Sequence, residues 1–199
     1  MKVEKEIERK WKIGDINAAY EAAYDGFMTM NKPGVKYQMI RQAYDSRGRV
    51  RWIHTNFYED FIAGERTIKT GQGLERVEHT TDLTEKEVRD YFWNLYRTNT
   101  PYIYKVRCII PHGKFKIEFD EILCVPTEMY RKYDLYAEIE FASVEEANAF
   151  TDVPSWFGEE VTGQDEHSMK NIHDMMRNCE ERNIAPVYNE DEDDNDEGW

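Results

Sequence analysis

The chain has 199 residues, of which 40% are hydrophobic and 14% aromatic, enough for one domain with a genuine apolar core. Its 40 acids outnumber 26 bases, giving a net charge of −14. That charge argues against general binding to duplex nucleic acid or an anionic membrane, since both need a positive footprint.

Residues 2–13, KVEKEIERKWKI, support two readings. As a strand, the segment puts Glu4, Glu6, Glu8, Lys10 and Lys12 on one face and Val3, Ile7, Trp11 and Ile13 on the other. Glu6 and Glu8 would then stand roughly 6–7 Å apart and repel by about 2–3 kcal/mol at an effective dielectric near 20, a cost that a divalent cation would reverse. As a helix, Val3, Ile7 and Trp11 form an i, i+4, i+8 stripe, with Glu6–Lys10 and Glu8–Lys12 as favourable pairs. Periodicity alone leaves both open.

A short helix opened by Asp15 and ended near Gly26 is expected next, then a loop through Asn31–Gly34. Residues 37–44 and 49–53 read as a β-hairpin across Asp45–Gly48, and residues 65–69 and 74–80 as a second pair across Gly71–Gly73. Thr84 to Glu87 is a capping box for a helix with Val88, Tyr91, Phe92 and Leu95 on its apolar side. Strands follow at 103–110, 114–122 and 135–141. Ser143 caps another short helix, and a last helix is expected from about Asp165 to Glu181, its Met169, Ile172 and Met176 face serving packing. The pattern predicts an α+β fold around an antiparallel sheet.

Within these strands like charges recur in pairs on one face. Arg49 and Arg51 share a face, as do Lys105 and Arg107, Glu118 and Asp120, and Glu138 and Glu140, with Lys69, Arg76 and Glu78 nearby. Ordinary apolar-in, polar-out alternation explains the period but not the signs, because like charges at this spacing repel. If the sheet closes into a barrel, the charged faces point into one lumen. Acids there would gather a divalent metal, and bases would cradle a polyanion such as a string of phosphates.

An ordered set of motifs then carries a family resemblance. Glu6-Ile7-Glu8-Arg9-Lys10 is followed by Gln42-Ala43-Tyr44, Arg49-Val50-Arg51, Thr67-Ile68-Lys69, Arg76-Val77-Glu78 and Lys105-Val106-Arg107. Later come Phe115-Lys116-Ile117-Glu118, Ala137-Glu138-Ile139-Glu140-Phe141 and the segment Trp156–Thr162. The set resembles the CYTH, or triphosphate tunnel metalloenzyme, superfamily. That resemblance implies an eight-stranded antiparallel barrel forming a tunnel, with helices packed outside. It also implies an enzyme acting on triphosphate-bearing small molecules with Mg2+ or Mn2+. By matched position, Glu6, Glu8, Glu138 and Glu140 would hold metal. Glu78 and Glu118 would complete a second metal site or orient water, and Lys10, Arg49, Arg51, Lys69, Arg76, Lys105 and Arg107 would clamp phosphates. No Gly-rich phosphate loop is present to take that role.

The residues depart from the family pattern in three places. Residues 14–36 form a longer insert that could cover a tunnel mouth. Thr80 stands where a further carboxylate often follows, and Lys116 where an acid often precedes the Glu118 position. The leading expectation is a metal-dependent triphosphatase acting on inorganic tripolyphosphate or a nucleoside or thiamine triphosphate. The motifs do not separate it from a class-four adenylyl cyclase or from a binder without turnover. Residues 1–183 are expected to form the tunnel domain. Residues 184–199, containing seven acids after Asn189, are expected to be a disordered acidic tail able to contact a protein partner. Cys108, Cys124 and Cys179 are odd in number and widely spaced, which fits a reducing compartment. With no signal peptide or stretch of about 18 apolar residues, a cytoplasmic protein is expected, and a homodimer is compatible with it.

Overall fold

A computed structural model describes residues 1–25, 32–55, 60–130, 132–182 and 184–187. The expected loop at 31–34 therefore falls partly outside the described residues, as does the acidic run at 188–199.

The opening segment is a strand, β1 (Lys2–Ile13). A helix would have exposed part of its apolar set, whereas the strand buries Ile7 and Trp11 to 3% exposure each on one face while the other carries the charges. Helix α1 (Ile16–Ala23) follows, capped by the Asp15 side chain. Strands β2 (Lys36–Asp45), β3 (Gly48–His54), β4 (Phe61–Gln72) and β5 (Glu75–Leu83) run as consecutive hairpins. Helix α2 (Glu85–Arg97) has the expected capping box between Thr84 and Glu87. Then come β6 (Ile103–His112), β7 (Phe115–Leu123), β8 (Leu135–Glu140), helix α3 (Val144–Ala149), β9 (Phe157–Glu160) and helix α4 (Met169–Asn178).

The strand order is β5-β4-β3-β2-β6-β7-β8-β1, and β1 also pairs with β5, so eight antiparallel strands close into a barrel. Closure depends on β1 dividing its partners. Its first half pairs with β5, its second half with β8, and β9 joins the edge beyond the end of β5. Strand β9 was not expected from sequence; it has four residues, of which only Phe157 is buried.

The barrel is polar inside and apolar outside. Ile7, Trp11, Cys108, Ile117, Phe119, Ala137 and Ile139 alternate with the charged positions and form the main core on the outer wall. Helix α1 covers part of that wall: Ala19 and Ala23 are buried, and Tyr20 donates to Glu121 at 2.7 Å and meets Phe119 edge-on. The described part of the 14–36 insert thus lies largely on the wall, while Gly34 and Lys36 reach the rim of one barrel end. Helix α2 seats Val88 beside Gly64, where an added Cβ would stand 2.8 Å from Val88 Cγ1, so only glycine permits this approach. Residues 184–187 also pack on the wall. Ala185 and Val187 are 3% exposed, and Arg41 donates to the Pro186 carbonyl at 2.7 Å.

A second core cluster closes the other barrel end. Lumen-facing Ile103, Ile122 and Tyr136 meet Met169, Ile172 and Met176 of α4. The methionine face of α4 is packing, as its spacing suggested. The helix is shorter than expected because Asp165–His167 form a 3-10 turn and Ser168 caps the first helical turn. Among the described residues no helix is long and apolar enough to cross a membrane.

Candidate functional site: a charged tunnel

Even-numbered residues of β1 and β8 and odd-numbered residues of β3, β4 and β6 face the lumen. This follows from strand alternation once the outer wall holds the apolar set. A cavity of about 480 Å³ opens beside α4 and is lined by Glu6, Glu8, Lys10, Arg49, Arg51, Lys69, Arg76, Arg107, Glu118 and Glu138. Ten of the expected site residues therefore share one enclosed space. Its rim is made by the β2–β3 turn, the β4–β5 turn and residues 161–170. Gly163 (φ +71°) lets that segment touch the β4–β5 turn: a Cβ there would stand 3.0 Å from Gly73 Cα.

The remaining three expected residues lie close by but differently. Lys105 is fully buried behind the lining, with its Nζ 2.5 Å from Asp120. Glu78 is tied to Lys69 and stands 3.5 Å from Arg49. Glu140 faces a second cavity of about 930 Å³ at the opposite end, and Glu118 borders both spaces.

Most lumen charges neutralise one another. Lys69 donates to Glu6 at 2.7 Å, and Arg76 bridges Glu6 and Glu8. Lys10 stands 3.1 Å from Glu138 and sits 4.3 Å above the Tyr136 ring. Arg107 forms a two-pronged pair with Asp120, both bonds 2.7 Å, and reaches Glu118 and Glu138. Burial pushes the Glu138 carboxyl up, but Lys10, Arg107 and Lys105 together hold it well below the ordinary carboxylate range. Burial likewise opposes ionisation of Asp120, yet Arg107 and Lys105 keep it lowered. Burial, Arg107 and Arg51 pull the Lys105 ammonium down to about 7, against the pull of Asp120.

Two groups break this balance. Arg51 forms no ion pair with a carboxylate among the described residues; its Nε donates instead to the neutral Gln42 carbonyl at 2.8 Å. Burial, reinforced by Arg49 and Arg107, lowers its guanidinium pKa against the weaker pull of Glu65, its cross-strand neighbour, so an anion beside it would be favoured. Arg49 also has a buried Nε with no partner among the described residues. Glu140 is the acidic counterpart. Burial raises its carboxyl, and Glu118, Glu6, Glu4 and Glu78 raise it further.

Asp120 belongs to a charge pair in the sequence but not to the expected site residues. Its signal was there: it shares the face of Glu118 and lies opposite Arg107 in the β6–β7 register. Gln42 and Tyr44 stand in the sequence only as motif positions, because neutral side chains carry no charge pattern.

Fold and lumen together define a charge-lined eight-stranded tunnel protein. Neither a protein-family profile nor a curated protein matches the sequence. Among solved structures, the hypothetical protein NE1496 aligns with a TM-score of 0.50 at 20% identity, covering 84% of this chain and 97% of that one. A second structure, of the inorganic triphosphatase NE1496, gives 0.49 at 20% identity over 84% and 93% of the two chains. A candidate adenylate cyclase from Bacillus halodurans gives 0.47 at 15% identity over 74% and 86%. The chain thus shares its fold with the first of these structures and forms the eight-stranded antiparallel barrel expected from its motifs.

Proposed function

We propose that the protein hydrolyses a triphosphate within this tunnel. The observation that carries the reading is Arg51, a half-buried guanidinium facing the cavity and held by an amide rather than a carboxylate. Such a group favours an anion, and Arg49, beside it on the same face, favours one with several charges. Lys69, Arg76, Arg107 and Lys10 extend the basic lining, each able to pass part of its pairing from glutamate to phosphate.

The acids fit a hard divalent cation by chemistry, since they offer carboxylate oxygens only. Burial and the repulsion of neighbouring glutamates together raise Glu140, and a cation would offset the repulsion. Among the described residues no three His, Cys, Asp or Glu groups stand ready as a cage, so binding would draw glutamates from their present basic partners. Glu6, Glu8, Glu138 and Glu140 would hold Mg2+ or Mn2+. Bound there, the cation would supply charge neutralisation and water activation.

The protein's own residues supply the rest. Arg49, Arg51 and Lys69 bind and align the phosphate chain, and Arg107 offsets charge at the phosphorus under attack. Glu118 and Glu78 accept hydrogen bonds from the attacking water and orient it. The P–O bond to the departing phosphate breaks as the water oxygen bonds phosphorus, and the water's proton passes to solvent through the carboxylates. The likeness to NE1496, described as an inorganic triphosphatase, is in keeping with this reading.

A panel of inorganic tripolyphosphate, nucleoside triphosphates and thiamine triphosphate, each with and without Mg2+ and Mn2+, tests it by chromatography of all products. Metal-dependent orthophosphate release is expected. Cyclic AMP with pyrophosphate from ATP would replace hydrolysis by cyclisation, and unchanged ligand throughout would reduce the tunnel to a binding site.

A further inference from the structure

Beside Arg51 the lumen contains a chain of three side chains whose hydrogen-bond directions are fixed by chemistry. Arg51 Nε donates to Gln42 Oε1 at 2.8 Å, and Gln42 Nε2 donates to the Tyr44 hydroxyl oxygen at 2.8 Å. A guanidinium has only donors, so the Gln42 carbonyl must face it and the amide cannot flip. The amide nitrogen then has only donors toward Tyr44, so the phenol oxygen must accept. The phenol therefore cannot spend its own proton on Gln42.

That proton has no acceptor among the described residues: the bond from Gln42 is the hydroxyl's one hydrogen bond there. Tyr44 lines the 480 Å³ cavity, on the same face of β2 as the fully buried Gln42. The ring is steadied from behind by His173 of α4, with centroids 5.4 Å apart. Burial raises the phenol pKa, which keeps the proton in place.

We infer that Tyr44 donates its hydroxyl proton to an anionic oxygen of the bound polyphosphate, and that Gln42 is the positioning residue that turns both Arg51 and Tyr44 toward it. The inference rests on the triphosphate reading and deepens it. One neutral donor and one cation, locked together by an amide, form the wall of the phosphate subsite nearest α4. A carboxylate at position 42 would destroy this arrangement. It would accept from Arg51 and from the Tyr44 hydroxyl alike, neutralising the first and turning the second away from the cavity.

The test is calorimetric titration of the full chain with inorganic tripolyphosphate, together with thermal melts. Tyr44→Phe removes the hydroxyl and keeps the ring against His173, so affinity should fall roughly ten- to a hundredfold, the size of a hydrogen bond to a charged group, with little change in melting temperature. Gln42→Glu should weaken tripolyphosphate at least as much while melting at the same or a higher temperature, because it gains an ion pair with Arg51. A merely structural role for Gln42 would move affinity and melting temperature downward together. Wild-type affinity in a folded Tyr44→Phe protein would overturn the inference and leave the triphosphate reading standing. If Tyr44→Phe fails to fold, Gln42→Glu decides: retained affinity overturns the inference. Failure of the unaltered chain to bind tripolyphosphate would remove both readings at once.

Discussion

Replacing Asp120 with asparagine tests how the tunnel tolerates its own charge. Asp120 is fully buried and accepts from Lys105 at 2.5 Å and from Arg107 through two bonds of 2.7 Å. Asparagine keeps the shape but removes the charge and presents an NH2 to two cations. Breaking a buried pair from one side costs about 3–5 kcal/mol. Arg107 retains Glu118 and Glu138, so the lower end is expected. For a chain of this size about 3 kcal/mol corresponds to a melting shift of roughly 6–12 °C. Urea unfolding at pH 7, with coincident fluorescence and circular dichroism transitions, measures the loss. Because the folded carboxyl is lowered, its contribution is present above its unfolded value of about 3.9 and is lost as pH falls through its folded value. The gap between wild type and variant should therefore close in acid. Tripolyphosphate should stabilise the variant more than the wild type, since it replaces the missing negative charge. A loss under about 1 kcal/mol, the size of an exposed pair, would refute the reasoning that Asp120 anchors the basic lining.

Three further outcomes are expected. Glu138→Gln should remove metal-dependent turnover while the protein stays folded by circular dichroism; unaltered activity would take Glu138 out of the site. Arg51→Ala should weaken tripolyphosphate binding by about 1.5–3 kcal/mol, the loss of a charged hydrogen bond, read by calorimetry; loss of folding instead would make Arg51 structural. Glu140→Gln should stabilise the protein at neutral pH without added metal. The raised carboxyl favours the folded state below its unfolded pKa, and that advantage is lost as pH rises through the folded value. Urea midpoints at pH 7 and pH 4 check this, the difference being confined to the higher pH.

The lumen was legible because strand alternation converts spacing into facing. Glu6, Arg51 and Glu138 could be assigned to a single space once the sheet was taken to close. What alternation cannot give is depth along the tunnel. Glu118 and Asp120 look equivalent in sequence, yet cross-strand register sets Asp120 against Arg107 deep in the wall and leaves Glu118 between two cavities. Lys105, expected among the phosphate-clamping residues, lies behind the cavity lining for the same reason. Neutral partners such as Gln42 were invisible because their part depends on which atom faces which donor. Residues 184–187 read as the start of a polar tail, but Ala185 and Val187 supply apolar area that the outer wall buries. The acidic run beyond them lies outside the described residues.

The first strand has a bearing on how the protein comes into being. Its twelve residues border segments roughly seventy, one hundred and thirty and one hundred and fifty positions later in the chain, on β5, β8 and β9. A ribosome must release most of the polypeptide before the N-terminal ribbon finds its final neighbour, and such distant pairings make assembly slow. Until then Glu6, Glu8 and Lys10 belong to no pocket at all. The charged lumen would arise late and all at once, so shortened fragments lacking β8 should neither close nor show the tripolyphosphate binding proposed above.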